Sequence, residues 1–417
     1  MAKLVRGFKD TFGTQADNLT KLENCAREVF ALYGVEELRI PTVELKELFI
    51  KSTGDTTDIV QKEMYAFEDA GGRNIALRPE GTPGIVRAYI ENGFAQNNPL
   101  KNFYYIGNMF RAERPQAGRY REFEQIGVEC FGNQNPAQDA QTILMLKDII
   151  ERYGIKNYKV RINSLGCGKC RPAFRQELIN FFSASKDQLC EKCVERLERN
   201  PLRVLDCKID GPKFTDVPKQ KLCPDCQAHF DEVLSLLKGK IDFEVDPMLV
   251  RGLDYYTQTV FEFVAGTNAQ NAIAGGGRYD TLVKSMGGPA CPAVGWALGA
   301  QRVASCLEEQ TKQEETIQRE NKFFVISMDK TCNQTAFNLM QILRKENIKT
   351  LGGIFDKNIK AQMKQADKNN CRWAIIIGSS EVEKNTFVLK NLNDAEQKEY
   401  LQSEIISVLK KVQNEKN

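Results

Sequence analysis

Two strand-like runs rich in apolar and aromatic side chains stand out along the chain. Phe103–Glu113 and Tyr120–Cys130 flank a polar loop with Pro115 and Gly118. The pattern predicts an antiparallel hairpin with a long basic tip. Because side chains alternate faces along a strand, Arg111 and Glu113 share a face, and so do Phe123, Gln125, Gly127 and Glu129. Gln125 and Glu129 then stand on the order of 13 Å apart, a gap across which long side chains could grip both ends of a small zwitterion. A solvated sheet face with charges of both signs is the alternative reading of the same spacing. Nothing in this stretch has the form of a P-loop.

Elsewhere the period changes. Leu19, Leu22, Ala26, Val29, Phe30 and Tyr33 follow helical spacing, and Gly34 is placed to end that helix. Leu38–Glu44 reads as a strand interrupted by Pro41, so it belongs at a sheet edge or bulge. Ile75–Gly93 reads as a short strand, a tight polar turn and a helix, with Thr82 before the helix and Pro83 near its start. Glu80 and Thr82 then sit at the corner, where a carboxylate and a hydroxyl suit an ammonium group and where a capping turn is the plainer reading. Pro136–Tyr153 is a predicted helix and Lys159–Ile162 a strand. Beyond residue 322 the chain alternates: strands Phe323–Ser327, Lys349–Ile354, Trp373–Gly378 and Thr386–Leu389, helices Thr331–Glu346, Asn358–Lys368 and Glu399–Val412. That alternation predicts an α/β domain with a largely parallel sheet. The polar stretch before it, residues 308–321, reads as a linker.

Length and charge narrow the classes. At 417 residues the chain has room for several domains, and a net charge of +3 confines any nucleic-acid site to a local basic surface. The start, MAKLVRGFKDTFG, lacks the apolar core of a signal peptide, and no apolar run is long enough to span a bilayer. A cytoplasmic protein without a membrane partner is expected. His229 is the sole histidine, which excludes Ser-His and Cys-His machinery. Of 13 cysteines, seven fall in one segment: Cys167, Cys170, Cys190, Cys193, Cys207, Cys223 and Cys226. Their CxxC pairs favour a metal over cystines in a reducing compartment. With His229 they make eight potential zinc ligands, enough for two tetrahedral sites or one with ligands to spare. The expected role is structural, because closed sulfur sites leave no position for substrate. Free thiols are the alternative.

The hairpin's strand–FRxE–loop–strand order resembles motif 2 of class II aminoacyl-tRNA synthetases, and the Leu19–Glu44 region resembles motif 1. Leu249–Phe263 (LVRGLDYYTQTVFEF) and Ala274–Val283 (AGGGRYDTLV) resemble two blocks peculiar to the histidyl-tRNA synthetases, and Pro292–Val303 resembles motif 3. The match runs from about Arg6 to Val303, and the C-terminal part resembles the family's anticodon-binding domain. The resemblance implies an α+β fold: a class II core with an antiparallel sheet and flanking helices in residues 1–166 and 239–307, a mainly helical cysteine-rich insertion in 167–238, the linker, and an anticodon-binding α/β domain in 322–417.

It also implies a homodimer that uses ATP with Mg²⁺ to join L-histidine to its tRNA. Carried over by motif, Glu80, Thr82 and Gln125 are expected to clamp the amino group, and Glu129 with Tyr256 to read the imidazole. Tyr255 and Tyr256 line the histidine pocket; on a strand they would face opposite ways. Arg111 and Arg251 are expected at the carboxylate and α-phosphate, with Glu113, Arg119 and Arg302 on ATP. A planar fork suits these tasks better than a point charge. The Arg114–Arg121 loop is the candidate contact for the extra 5′ guanylate that the family reads. One departure is Gln301, where motif 3 usually has an acid. A catalytically silent regulatory relative is the competing reading; such relatives tend to lack the C-terminal domain and the Arg251-type residue, and both are present.

Overall fold

The computed structural model describes residues 3–54, 57–115, 119–214, 216–266, 272–311 and 320–414. The chain forms two compact units, Met1–Gln313 and Glu314–Asn417.

The first unit is built on an eight-stranded sheet. Its order is Glu36–Glu37, Lys101–Phe110, Glu122–Phe131, Ala293–Gly299, Ala272–Arg278, Thr257–Val264, Lys159–Ser164 and Phe243–Val245. The six inner strands are antiparallel to their neighbours, and only the short edge strands pair in parallel. Helices Thr14–Leu32, Pro136–Tyr153 and Pro224–Leu237 cover one face, where Phe30, Ile143, Leu146 and Val233 meet Ile126, Val128, Phe261 and Trp296 in one buried cluster. Residues 126 and 128 point into that cluster, so residues 125, 127 and 129 must line the other face. The middle helix is well specified: the Asn135 side chain accepts from the Ala137 N–H at 2.8 Å, Pro136 starts the first turn, and Gly154 ends it in the left-handed region.

The hairpin forms at the expected place with shorter arms. Phe110 pairs with Glu122, and the regular ladder ends there with one further bond, from the Arg111 N–H to the Arg121 carbonyl at 2.9 Å. Past that point other segments capture the backbone: Arg121 N–H donates to the Gly7 carbonyl at 2.7 Å and Ala112 N–H to the Glu63 carbonyl at 2.6 Å. Arg111 and Glu113 therefore lie beyond the strand end, not on its face. Pro41 does more than interrupt a strand. Glu36–Glu37 joins the large sheet, whereas Val43–Leu45 joins a separate three-stranded sheet with Asn74–Leu77 and Ala66–Glu68.

The cysteine-rich segment packs against the core. Its Phe174, Leu178, Phe182 and Leu197 share a buried cluster with Tyr255, Val260 and Val283. Between the cysteines it is mostly helical, with helices Arg171–Ser183, Glu191–Arg199 and Leu202–Leu205.

The second unit has a five-stranded sheet in the order Thr350–Gly352, Glu320–Ser327, Cys371–Ile377, Thr386–Asn391 and Gln397–Leu401. The first three strands are parallel and the last two antiparallel, so the sheet is mixed. Gln397–Leu401 corrects the expected helix start at Glu399; the helix is Ile405–Asn414. Asn391 and Asp394 explain this: their side chains bond each other at 2.7 Å and fold the backbone into a turn, with Ala395 at φ 64°. The chain must then return alongside the strand it has just left. Among the described residues no helix is long and apolar enough to cross a membrane.

Candidate active site

The other face of the large sheet floors a cavity of about 670 Å³. Glu80, Thr82, Arg111, Glu113, Arg119, Gln125, Glu129, Arg251, Tyr255, Tyr256 and Arg302, drawn from stretches more than 200 residues apart, all line it.

One end is acidic and closed. Glu80 and Glu129 are almost fully buried. Glu80 accepts from Thr53 Oγ1 at 3.1 Å and Tyr255 Oη at 3.0 Å. Glu129 accepts from Thr82 Oγ1 at 2.6 Å and from the Tyr279 hydroxyl. Burial pushes both carboxyls above their ordinary range, Glu129 to about 8. For Glu80 the field of Arg111 and the two hydroxyl bonds oppose the rise; for Glu129 the hydroxyl bonds oppose it and the charge on Glu80 adds to it. Gln125 adds a buried carbonyl oxygen with no hydrogen-bond partner among the described residues. Two buried carboxyls and an unpartnered carbonyl oxygen concentrate hydrogen-bond acceptors at this end of the cavity.

The other end is cationic. Arg111 donates to the Pro79 carbonyl at 2.9 Å and lies over the Phe123 ring. Arg119 pairs with Glu113 at 2.8 Å. Arg251 pairs with Glu262 at 2.5 Å, and Arg302 donates to the Ala272 carbonyl at 3.0 Å. Burial, with Arg119 and Arg111 nearby, lowers the Arg302 pKa. These contacts fix the planes of the four guanidinium groups around one end of the cavity.

Two glycines are sized to this arrangement. A Cβ on Gly295 would lie 2.0 Å from Glu129 Oε2, and one on Gly275 would lie 2.6 Å from the Arg251 guanidinium. The Glu129 side chain and the Arg251 guanidinium can occupy these places only because the strand beside each carries no side chain there.

Several residues differ in detail from expectation. Thr82 is the first helical residue of Thr82–Glu91 and makes no capping bond; its hydroxyl turns to Glu129. Tyr255 and Tyr256 precede the strand Thr257–Val264 and escape its alternation, so both face the cavity, with ring centroids 4.7 Å apart. Tyr279 and Thr53 were not anticipated. Tyr279 lies two residues after the glycine triplet, in the same AGGGRYDTLV block, which is the signal that could have marked it; Thr53 comes from a helix end with no motif. Gln301 accepts from the Glu124 N–H at 3.0 Å, bracing the hairpin instead of bearing charge.

The cysteines gather into two sets. Cys167, Cys170, Cys223 and Cys226 form one, and Cys190, Cys193, Cys207 and Asp210 the other, with ligand atoms within 4.8 Å of one another in each. His229 belongs to neither. It lies 3.3 Å from Asp139: on the helix Pro224–Leu237, whose first turn carries Cys226, it faces the helix Pro136–Tyr153. Asp210 takes the eighth place instead. In the Arg114–Arg121 loop, residues 116–118 lie outside the described residues, as do 312–319 of the linker.

A six-stranded antiparallel floor, with an arginine at the end of a motif 2 hairpin and another at the start of the motif 3 helix, defines the catalytic core of a class II aminoacyl-tRNA synthetase. The sequence model described as histidyl-tRNA synthetase matches residues 7–169 and 214–303, and that described as an anticodon binding domain matches 322–412. The chain belongs to the histidyl-tRNA synthetase family. It is 61% identical over 413 residues to a histidine–tRNA ligase of Elusimicrobium minutum, covering 99% of this chain and 100% of that protein. A histidine–tRNA ligase of Desulfosudis oleivorans is 45% identical over 96% of this chain and 95% of its own. The crystal structure of the apo histidyl-tRNA synthetase of S. aureus superposes with a TM-score of 0.80 at 32% identity, covering 98% of this chain and 100% of that one.

Proposed function

We infer that the chain joins L-histidine to its tRNA in two steps at the expense of ATP. The observation that carries this is the single cavity with buried carboxylates at one end and arginines at the other. Histidine has an ammonium and an imidazole to meet the first and a carboxylate to meet the second.

In this reading Glu80, Gln125 and Thr82 receive the ammonium. Glu129, held by Thr82 and Tyr279, reads the imidazole, with Tyr255 and Tyr256 as pocket walls. A wrong amino acid leaves buried polar groups unpaired, which penalises it by as much as about 10⁴-fold or more. Arg111 and Arg251 bring the histidine carboxylate to the α-phosphate. A carboxylate oxygen attacks that phosphorus and pyrophosphate leaves, giving histidyl adenylate. Charge builds on the phosphoryl oxygens, and preplaced guanidiniums meet it without reorganising. No protein base is needed because the attacking carboxylate is already ionised. In the second step a terminal ribose hydroxyl of tRNA attacks the acyl carbon and AMP leaves.

Arg302, Arg119 and Glu113 are assigned to ATP. The carboxylates of Glu113 and Asp206 in the cavity wall are oxygen donors of the kind Mg²⁺ accepts, and the ion would neutralise polyphosphate charge there. The second unit is assigned to the anticodon, and a cytoplasmic site of action follows from the substrates. A homodimer fits the exposed apolar Leu32, Val43, Leu45 and Phe67 around the motif 1 region. In the cysteine-rich segment zinc has a structural place.

The test is amino-acid-dependent exchange of pyrophosphate into ATP. Histidine alone among the twenty should support it, followed by charging of tRNA. Absence of exchange with histidine would favour the silent regulatory relative.

A further inference from the structure

Cys190, Cys193, Cys207 and Asp210 sit where the cysteine-rich segment closes over the cavity. Cys190 and Cys193 flank the start of helix Glu191–Arg199, and Cys207 and Asp210 bracket two residues, Lys208 and Ile209, that line the cavity wall. Lys208 has Arg119, Asp206, Arg302 and Glu113 as its electrostatic neighbours, which puts it at the phosphate end. The loop carrying it is a turn closed by the Gly211 N–H on the Cys207 carbonyl at 2.7 Å, so Cys207 and Asp210 set where Lys208 stands.

The geometry is that of a metal site. Sγ of Cys190 and Sγ of Cys207 are 3.9 Å apart, too far for a disulfide and near the roughly 3.8 Å edge of a tetrahedron with ~2.3 Å metal–sulfur bonds. The other set has the same edges, 3.7 Å for Cys167–Cys170 and 3.8 Å for Cys167–Cys223 and Cys170–Cys226. Backbone N–H groups support both sets: Asp210 N–H points at Cys207 Sγ at 3.5 Å and Lys169 N–H at Cys167 Sγ at 3.4 Å. The Asp210 side chain is fully buried, with Lys213 Nζ 2.7 Å from one oxygen and the Cys190 N–H 2.9 Å from the other. With Lys213 on one oxygen, the Asp210 carboxylate still places an oxygen within 4.8 Å of the three Sγ atoms, and sulfur-rich tetrahedra select zinc-like ions.

We propose that Cys190, Cys193, Cys207 and Asp210 bind a zinc ion separate from the one held by the four-cysteine set, and that this ion fixes the 207–210 loop so that Lys208 contacts the ATP polyphosphate. The four-cysteine set has a different task. It joins the two ends of the segment, tying residues just past strand Lys159–Ser164 to the start of helix Pro224–Leu237. The phosphate contact rests on the ATP assignment above; the metal count does not.

The experiment is elemental analysis of the full chain purified with Zn²⁺ as the only added transition metal, alongside pyrophosphate exchange. Two zinc per chain are expected, falling to one in Cys207→Ser and one in Cys223→Ser. Cobalt substitution of the unaltered protein provides a second readout, with thiolate–cobalt bands for two distinct sulfur environments, should either variant fail to fold. Lys208→Ala should keep both zinc ions and raise KM for ATP by about tenfold, the worth of one charged hydrogen bond, with KM for histidine unchanged. One zinc or none in the unaltered chain, or cystines in place of free thiols, overturns the second site. An unchanged KM for ATP in Lys208→Ala overturns the phosphate contact. A chain that holds two zinc ions without histidine-dependent exchange contradicts the enzymatic reading and leaves the metal site standing.

Discussion

Glu129 carries the tension of the resting site. It is buried beside a second buried carboxyl, and two hydroxyl donors do not offset the lost water, so its proton is held to about pH 8. A carboxyl whose folded pKa exceeds its unfolded value stabilises the fold at low pH, and that contribution is lost as pH rises from about 4.5 through about 8. Melting temperatures of the ligand-free protein should therefore fall across this window, and Glu129→Gln should flatten the slope. The same substitution should raise KM for histidine far more than KM for ATP; equal changes would contradict imidazole readout. Arg251 has the opposite character, a permanent charge pinned by Glu262. Arg251→Ala should slow adenylation by about 10²-fold or more with the melting curve preserved, and near-normal exchange rates would remove its assigned role.

At the scale of elements, the hairpin and the strands beside it work because they are close enough to leave no spare volume. Gly295 faces Glu129 across one strand pair, and a methyl there would also meet the Val128 carbonyl at 2.4 Å. Backbone cannot yield as a side chain can, so Gly295→Ala should cost about 1–3 kcal/mol by denaturant unfolding and raise KM for histidine. Arg278 shows how the catalytic strand is tied to its helix. It is fully buried, with Nη2 2.7 Å from Asp139 Oδ2. Arg278→Leu leaves Asp139 buried without its main counter-charge and should destabilise the fold by about 3–5 kcal/mol. Replacement of both residues by apolar ones should recover much of that loss, because the cost lies in the orphaned charge. Neither residue was singled out beforehand, since an Arg–Asp pair 139 positions apart has no sequence period.

At the scale of the molecule, the two units have separate cores. Phe323, Val325, Leu343 and Ile375 are buried within the second unit. Removal of residues 314–417 should accordingly leave histidine-dependent pyrophosphate exchange within a few-fold of the intact chain, while tRNA charging drops by a much larger factor. An equal loss of both would mean that the second unit supports the first step as well.

The hydrophobic pattern alone marked the hairpin, the helix Pro136–Tyr153, the sheet face bearing Gln125 and Glu129, and the strand–helix alternation after residue 322, because each depends on near neighbours in the chain. Family motifs added Glu80, Thr82, Arg111, Glu113, Arg119, Arg251, Tyr255, Tyr256 and Arg302. Tertiary structure decided the rest: that the hairpin arms part to hold Gly7 and Glu63, that Tyr279 and Thr82 share one carboxylate, and that Asp210, not His229, completes the second sulfur set. Each of these depends on which distant segment fills a space or supplies a proton, and chain order carries no measure of that distance.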